Sequence, residues 1–163
     1  MEPTLHGHLI VTRGINWPLS SILLAVAGVA LTGVGLYFIA LRPALLPEDV
    51  RYIGLSAVQI DAVSPYLARW LTQVFRVMGG YVLATGVLTV TLAATSFRAH
   101  LWSAAIGALI GGAASIGLMA VVNFVIDSDF KWVLLGIALA WAGSLGLFWF
   151  EKRSVNRQRT AAA

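Results

Sequence analysis

The sequence predicts an all-α integral membrane protein: four transmembrane helices in an antiparallel bundle, with one or two short helices in the first extracytoplasmic link. Three observations carry this reading. The 163 residues are 59% hydrophobic and 11% charged, against about 45–50% and about 25% in soluble domains, so there are too few polar side chains to cover a water-facing surface. The apolar residues fall into four continuous runs, each about as long as the ~20 residues a helix needs to cross about 30 Å of hydrocarbon. Within the runs apolar and polar residues do not alternate. That excludes barrel strands and leaves the helix, whose backbone groups satisfy one another.

The first run is Leu19 to Leu41. Pro18 sits where a first helical turn tolerates it, and Arg42-Pro43 ends the span, because the residue before proline is pushed out of the helical region. Ala25-Val26-Ala27 has the small-x-small form of a signal-peptide cleavage site, but the apolar run continues well past it, so a retained span is expected. The outer link, 42–64, contains Pro47-Glu48-Asp49 as a helix start, Gly54 as a stop and Ser56 as a second cap. The second span is expected at 66–94, with Ser64 as N-cap and Pro65 in the first helical position. The third is expected at 101–126 and the fourth at 132–150. Between them Asp127 or Ser128 ends one helix and Asp129 caps the next. Residues 151–163 form a basic tail, and the whole chain reads as a single transmembrane domain.

Orientation follows from the bases. Lys152, Arg153, Arg157 and Arg159 crowd the exit of the last span, which places that end, and with an even number of spans both termini, on the cytoplasmic side of a cell inner membrane. Arg98 falls on the same side and the 42–64 link on the other. The net charge of +4 does not imply a nucleic-acid partner, since the bases sit at the ends of apolar runs and not on one face. The expected partners are membrane lipids, with a homo-oligomer or a larger membrane complex as the protein alternative. Trp17, Trp70, Trp102, Trp132 and Trp149 lie near span ends, as interfacial anchors do. Trp141 alone lies mid-span, where its indole N–H needs a partner.

Lipid-facing apolar surface gives helices no reason to associate, so close packing at small residues must supply it. The first span has Ala25, Gly28, Thr32 and Gly35 on one face. The second has Gly79 and Gly80. The third has Gly107, Gly111 and Ser115, and beside them Ala104, Ala108 and Gly112. The fourth has Gly136, Ala140 and Ser144. Gly28, Gly79, Gly80, Gly107 and Gly111 are the expected packing positions. They serve either packing within the bundle or, on the third span, a homodimer face.

Few residues carry chemistry. With no cysteine, disulfides, thiolate metal sites and iron–sulfur clusters are excluded. His6 and His8 in the N-terminal tail and His100 at the start of the third span have poor metal-ligand spacing, and no span has a mid-depth histidine for haem. The glycines of "GALIGGAAS" lie inside a span without a basic partner and do not form a phosphate loop. Every Asp and Glu lies in a tail, a link or a span end, which argues against proton antiport. No catalytic set converges, so neither enzyme nor cofactor is expected. Arg76 is the exception to an apolar second span. Its depth matches Asn123 and Asp127, four apart and hence on one helix face. A polar cluster of Arg76, Asn123 and Asp127 with Gln73 close by is the candidate ligand site, set against Arg76 simply snorkelling to the headgroups.

The segment "RVMGGYVLATGVL", preceded by "LSAVQIDAVSPYLARWL" and followed by Arg98 and Trp102, resembles a group of small four-span bacterial inner-membrane proteins that carry no assigned activity. In that group the corresponding place reads His-Asp-Arg before a glycine pair. Here it reads Val74-Phe75-Arg76, so only the arginine and the glycines match and the resemblance implies no function. Two readings follow: a non-enzymatic accessory, scaffold or lipid-binding bundle, or a small oligomeric transporter or channel component with Arg76 lining a polar cavity.

Overall fold

The computed structural model describes residues 17–161, with side chains described for all of these except 57 and 155–161. His6, His8 and Arg13 therefore lie outside the described residues, as do the side chains of Arg157 and Arg159. Among the described residues all regular structure is helical. Helix α1 runs Leu19–Ala40, α2 Pro47–Ile53, α3 Ala57–Val63 and α4 Leu67–Leu92, which continues through a π-helical turn at Ala93–Phe97. The third long helix is interrupted: α5, Trp102–Gly112, passes through a π-helical turn at Ala113–Gly117 into α6, Leu118–Val125. Helix α7 is Lys131–Ala161. Four helices are long and apolar enough to cross a membrane: Leu19–Ala40, Leu67–Phe97, Trp102–Val125 and Lys131–Ser154.

The two short helices of the link form for the local reasons the sequence shows. Pro47 opens α2, the Asp49 carboxylate accepts the Leu46 N–H at 2.9 Å, and Gly54 ends the helix in the left-handed region at φ 74°. Ser56 caps α3 by accepting the Gln59 N–H at 3.2 Å, while the Gln59 side chain accepts the Ser56 N–H at 2.8 Å. Two caps differ from expectation. Ser64 does not cap α4. It closes α3 in an extended conformation, and its carbonyl accepts the Leu67 N–H at 3.1 Å, so Pro65 and Tyr66 make a turn and the helix begins at Leu67. Asp129 does not cap α7. The Ser128 Oγ takes the Phe130 N–H at 3.2 Å and its carbonyl takes the Lys131 N–H at 3.2 Å, leaving Asp129 turned toward Arg51.

The two tight turns share a device. His100, between α4 and α5, and Asp127, between α6 and α7, have φ of 55° and 53°. Neither turn has glycine at that position, and His and Asp are among the few side chains that enter the left-handed region readily.

Helix α1 is the centre of the arrangement, packed along α4 on one side and α7 on the other. The α1–α4 contact is reciprocal. A Cβ on Gly28 would lie 3.0 Å from the Gly86 carbonyl oxygen and one on Gly86 2.8 Å from that of Gly28. The same holds for Gly35 and Gly79, each 2.9 Å from the other's carbonyl oxygen. Each helix thus presents two glycines seven residues apart to its antiparallel neighbour, a repeat that keeps one seam in contact along both helices. The expected Gly28 and Gly79 lie in this seam. Gly80, next to Gly79, faces open space, because adjacent residues on a helix point about 100° apart.

The third helix packs on α7 through its other small-residue stripe. Ala104, Ala105, Ala108 and Gly112 are buried, whereas Gly107 and Gly111 meet nothing within 4 Å of an added Cβ. This corrects the expectation for those two glycines: the stripe one residue along is the one that α7 covers. The core lies here, around Leu24, Leu31, Phe97, Ile116, Trp141 and Phe148, all at most 3% exposed. The contacts of α4 with the third helix are mainly with its α5 half, whereas α6 packs mainly on α7. The end of the molecule near the 42–64 link is consequently less filled than the opposite end.

Candidate functional site

The space left between α4 and α6 is a cavity of about 760 Å³. It reaches from Gly33 on α1 and Ser115 in the π-turn up to the link, with α4 contributing Phe75 and Met78 and α7 contributing Val133, Leu134 and Ile137. Most lining side chains are aliphatic or aromatic. Met78, Leu118 and Val122 line it and are 36%, 57% and 45% exposed, so the cavity reaches the surface between α4 and α6. Its charged lining is confined to the link end: Arg42, Glu48 and Asp49.

Arg42 follows the last turn of α1, its backbone N–H still bonded to the Tyr37 carbonyl at 2.9 Å, and its side chain is 6% exposed. The guanidinium lies over the Phe75 ring, Cζ 3.4 Å from the centroid, and 5.3 Å from that of Phe38. Nη2 pairs with the Asp49 carboxylate at 2.8 Å, and Nη1 donates to the carbonyls of Pro43 at 3.0 Å and Ala44 at 3.5 Å. The buried Nε has no acceptor. Stacking on two aromatic faces and an ion pair to α2 are what allow a guanidinium to sit in an apolar surround. This pair also fastens the link across the end of the cavity.

Glu48 is 2% exposed. Its Oε1 accepts from the Ser128 hydroxyl at 3.2 Å. That bond joins α2 to the α6–α7 turn, as does Arg51, which donates to the Asp127 carbonyl at 3.1 Å and pairs with Asp129 at 3.2 Å.

The polar residues singled out from the sequence are not brought together. Asn123 lines the cavity, its amide donating to the Met119 carbonyl at 2.8 Å. Asp127 lies outside the cavity, in the turn, paired with Lys131 one helical turn on. That neighbour holds its carboxyl below the ordinary range, first by the hydrogen bond and then by charge. Arg76 and Gln73 are exposed on α4, and among the described residues Arg76 makes neither a hydrogen bond to Asn123 nor an ion pair with Asp127. The physical reason is helix rotation together with the gap: α4 lines the cavity through Phe75 and Met78 while Arg76 is on its exposed face, and the cavity separates α4 from α6, so matched depth does not become contact. The cation at this depth is Arg42, which in the sequence marks only the end of the first span. The available signal was an arginine ending an apolar span, one turn after Phe38, with the acidic pair Glu48-Asp49 just downstream.

A second polar cluster closes the opposite end. Glu151 of α7 accepts the Ser20 N–H at 3.1 Å and its hydroxyl at 2.5 Å, and faces His100 Nε2 at 3.2 Å. The Ser20 amide lies in the first turn of α1, where the helix itself supplies no acceptor, so the carboxylate caps α1 from a neighbouring helix. His100 stacks on Phe148, and the Lys152 ammonium donates to the His100 carbonyl at 2.6 Å. Every one of these contacts ties α7 to the start of α1 or to the turn before α5.

Compared with protein-family models, with curated proteins and with solved structures, the chain matches none.

Proposed function

We propose that this chain is a multi-pass inner-membrane protein, a non-enzymatic four-helix bundle with both termini cytoplasmic, that holds one lipid-like amphiphile in the cavity between α4 and α6. The observation that carries this is the cavity's polarity gradient. About 760 Å³ of mainly apolar lining at span depth ends in buried charges at the link, within the range of about 300–1,000 Å³ in which small-molecule sites fall. A mainly apolar space at that depth offers water few partners, whereas an acyl chain entering between α4 and α6 meets side chains like its own surroundings. The four apolar helices are compatible with an integral membrane protein, and the continuous seam of α1 against α4 supports a bundle. The transporter reading needs Arg76 in a polar cavity, and Arg76 is not among the lining residues.

Gly33 supplies the test. It lines the cavity, and an added Cβ there meets nothing within 4 Å, so Gly33→Phe fills the space from inside. Native mass spectrometry of the detergent-purified chain should show one retained lipid in the wild type and its loss in Gly33→Phe, with helix content unchanged. Absence of lipid from the wild type, or retention unaltered by Gly33→Phe, would refute the proposal.

A further inference from the structure

We propose that the amphiphile's polar end is an ammonium group held by Glu48, so that the cavity selects amine-headed lipids over neutral or anionic ones; this rests on the cavity reading above.

Arg42 is already engaged: Nη2 is on Asp49, Nη1 is on two backbone carbonyls, its face is on Phe75 and its Nε is buried. An anionic headgroup therefore meets no cation in the lining that is not already paired with a carboxylate. Asp49 is equally committed, to Arg42 and to the Leu46 N–H. Glu48 remains. It is 2% exposed and lines the cavity, and a single neutral hydroxyl, that of Ser128, serves one of its two oxygens. Among the described residues no donor reaches Oε2. With Arg42 and Asp49 cancelling, the lining carries one uncompensated negative charge. Asn123 offers a neutral acceptor beside it, since its amide nitrogen is turned to Met119.

A buried carboxylate without a cation or a full set of donors is costly. An ammonium supplies both, with three donors and no acceptor. A hydroxyl supplies one donor and no charge, and a carboxylate head adds repulsion. Non-specific attraction does not produce the same preference, because the chain's net charge is +4 and repels cations on average.

The test uses the 163-residue chain in a neutral detergent and four probes: hexadecylamine, hexadecanol, palmitate and phosphatidylethanolamine. Binding is read by native mass spectrometry and by thermal shift. The wild type should bind hexadecylamine on the order of tenfold or more tighter than hexadecanol, a difference of about 1.4 kcal/mol, and palmitate weakest. Glu48→Gln keeps the side chain's shape and its bond to Ser128, and should abolish the amine's advantage while leaving hexadecanol unchanged. Phosphatidylethanolamine binding that is sensitive to Glu48→Gln identifies a bilayer lipid as the source. Amine binding without it assigns the site to simple long-chain amines, and both outcomes keep the ammonium assignment. Equal affinity for the three single-chain probes in the wild type, a preference for palmitate, or an amine preference that survives Glu48→Gln overturns it. The wild-type head-group series decides even where Glu48→Gln does not fold. The cavity reading fails separately, when no probe binds or when Gly33→Phe leaves all binding intact.

Discussion

Trp141 of α7 occupies the place that a side chain on Gly112 of α5 would take. A Cβ at Gly112 would lie 2.4 Å from the indole Nε1, which donates to the Ala108 carbonyl at 2.9 Å. A missing side chain thus opens a path to a backbone oxygen one turn earlier, and a mid-span indole finds its partner there. Gly112→Ala should force the ring away and strand its N–H, costing about 1–3 kcal/mol from overpacking and a similar amount for the lost bond. Gly111→Leu, facing open space, should cost much less. Thermal unfolding in detergent compares the two, and equal losses would mean the faces are assigned wrongly.

The glycine pair of α4 offers a second contrast. Gly79 meets the Gly35 backbone and Phe38, while Gly80 meets nothing. Gly79→Ala should separate α1 from α4 and lower stability by about 1–3 kcal/mol. Gly80→Ala should leave it unchanged or raise it by about 0.5–1 kcal/mol, since glycine in a helix interior carries an entropic cost. The check is the midpoint of denaturation for each single variant. A loss at Gly80 as large as at Gly79 would contradict the seam.

Arg42 and Asp49 predict an asymmetric double-mutant cycle. Asp49→Ala leaves a guanidinium that is 6% exposed without its carboxylate, and should cost about 3–5 kcal/mol. Arg42→Met combined with Asp49→Ala should recover a good part of that. Arg76→Met, on the exposed face of α4, should stay within about 0.5 kcal/mol. Additive effects at Arg42 and Asp49, or a large loss at Arg76, would return the key charge to the second span.

Asp127 predicts a pH window. Its carboxyl is held below the ordinary 3.8 by Lys131, with a smaller pull from Arg51. A folded-state pKa below the unfolded one stabilises fully above the unfolded value, and the contribution is lost as pH falls through the folded one. Asp127→Asn, which still tolerates the left-handed turn, should therefore show the same small deficit against wild type at pH 7 and pH 5, vanishing at lower pH. Added salt should shrink it, because the pair is exposed. A deficit that grows toward acid would reverse the sign and refute the assignment.

By itself the sequence determined the class and the local grammar. Four uninterrupted apolar runs admit only helices of spanning length, and Pro47, Gly54 and Ser56 mark the link helices, because helix length and capping depend on neighbours a few residues away. The need of Trp141 for a partner was also legible, since an indole N–H at that depth has few alternatives. Which of two adjacent stripes on the third helix is buried, and whether Arg76 or Arg42 is the enclosed cation, were decided by tertiary structure. Both depend on the rotation of one helix about its axis and on a gap between α4 and α6, and neither quantity leaves a trace in hydropathy, which averages over a helix's whole circumference. One signal was present and needed two segments to be read together: Gly28 and Gly35 on one helix and Gly79 and Gly86 on another, both seven apart. The equal spacing acquires meaning only when the helices are known to be antiparallel neighbours. The polar end of the cavity is the extreme case, since Arg42 and Glu48, Phe75, and Asn123 and Ser128 come from three separate stretches of chain and meet only where packing leaves room.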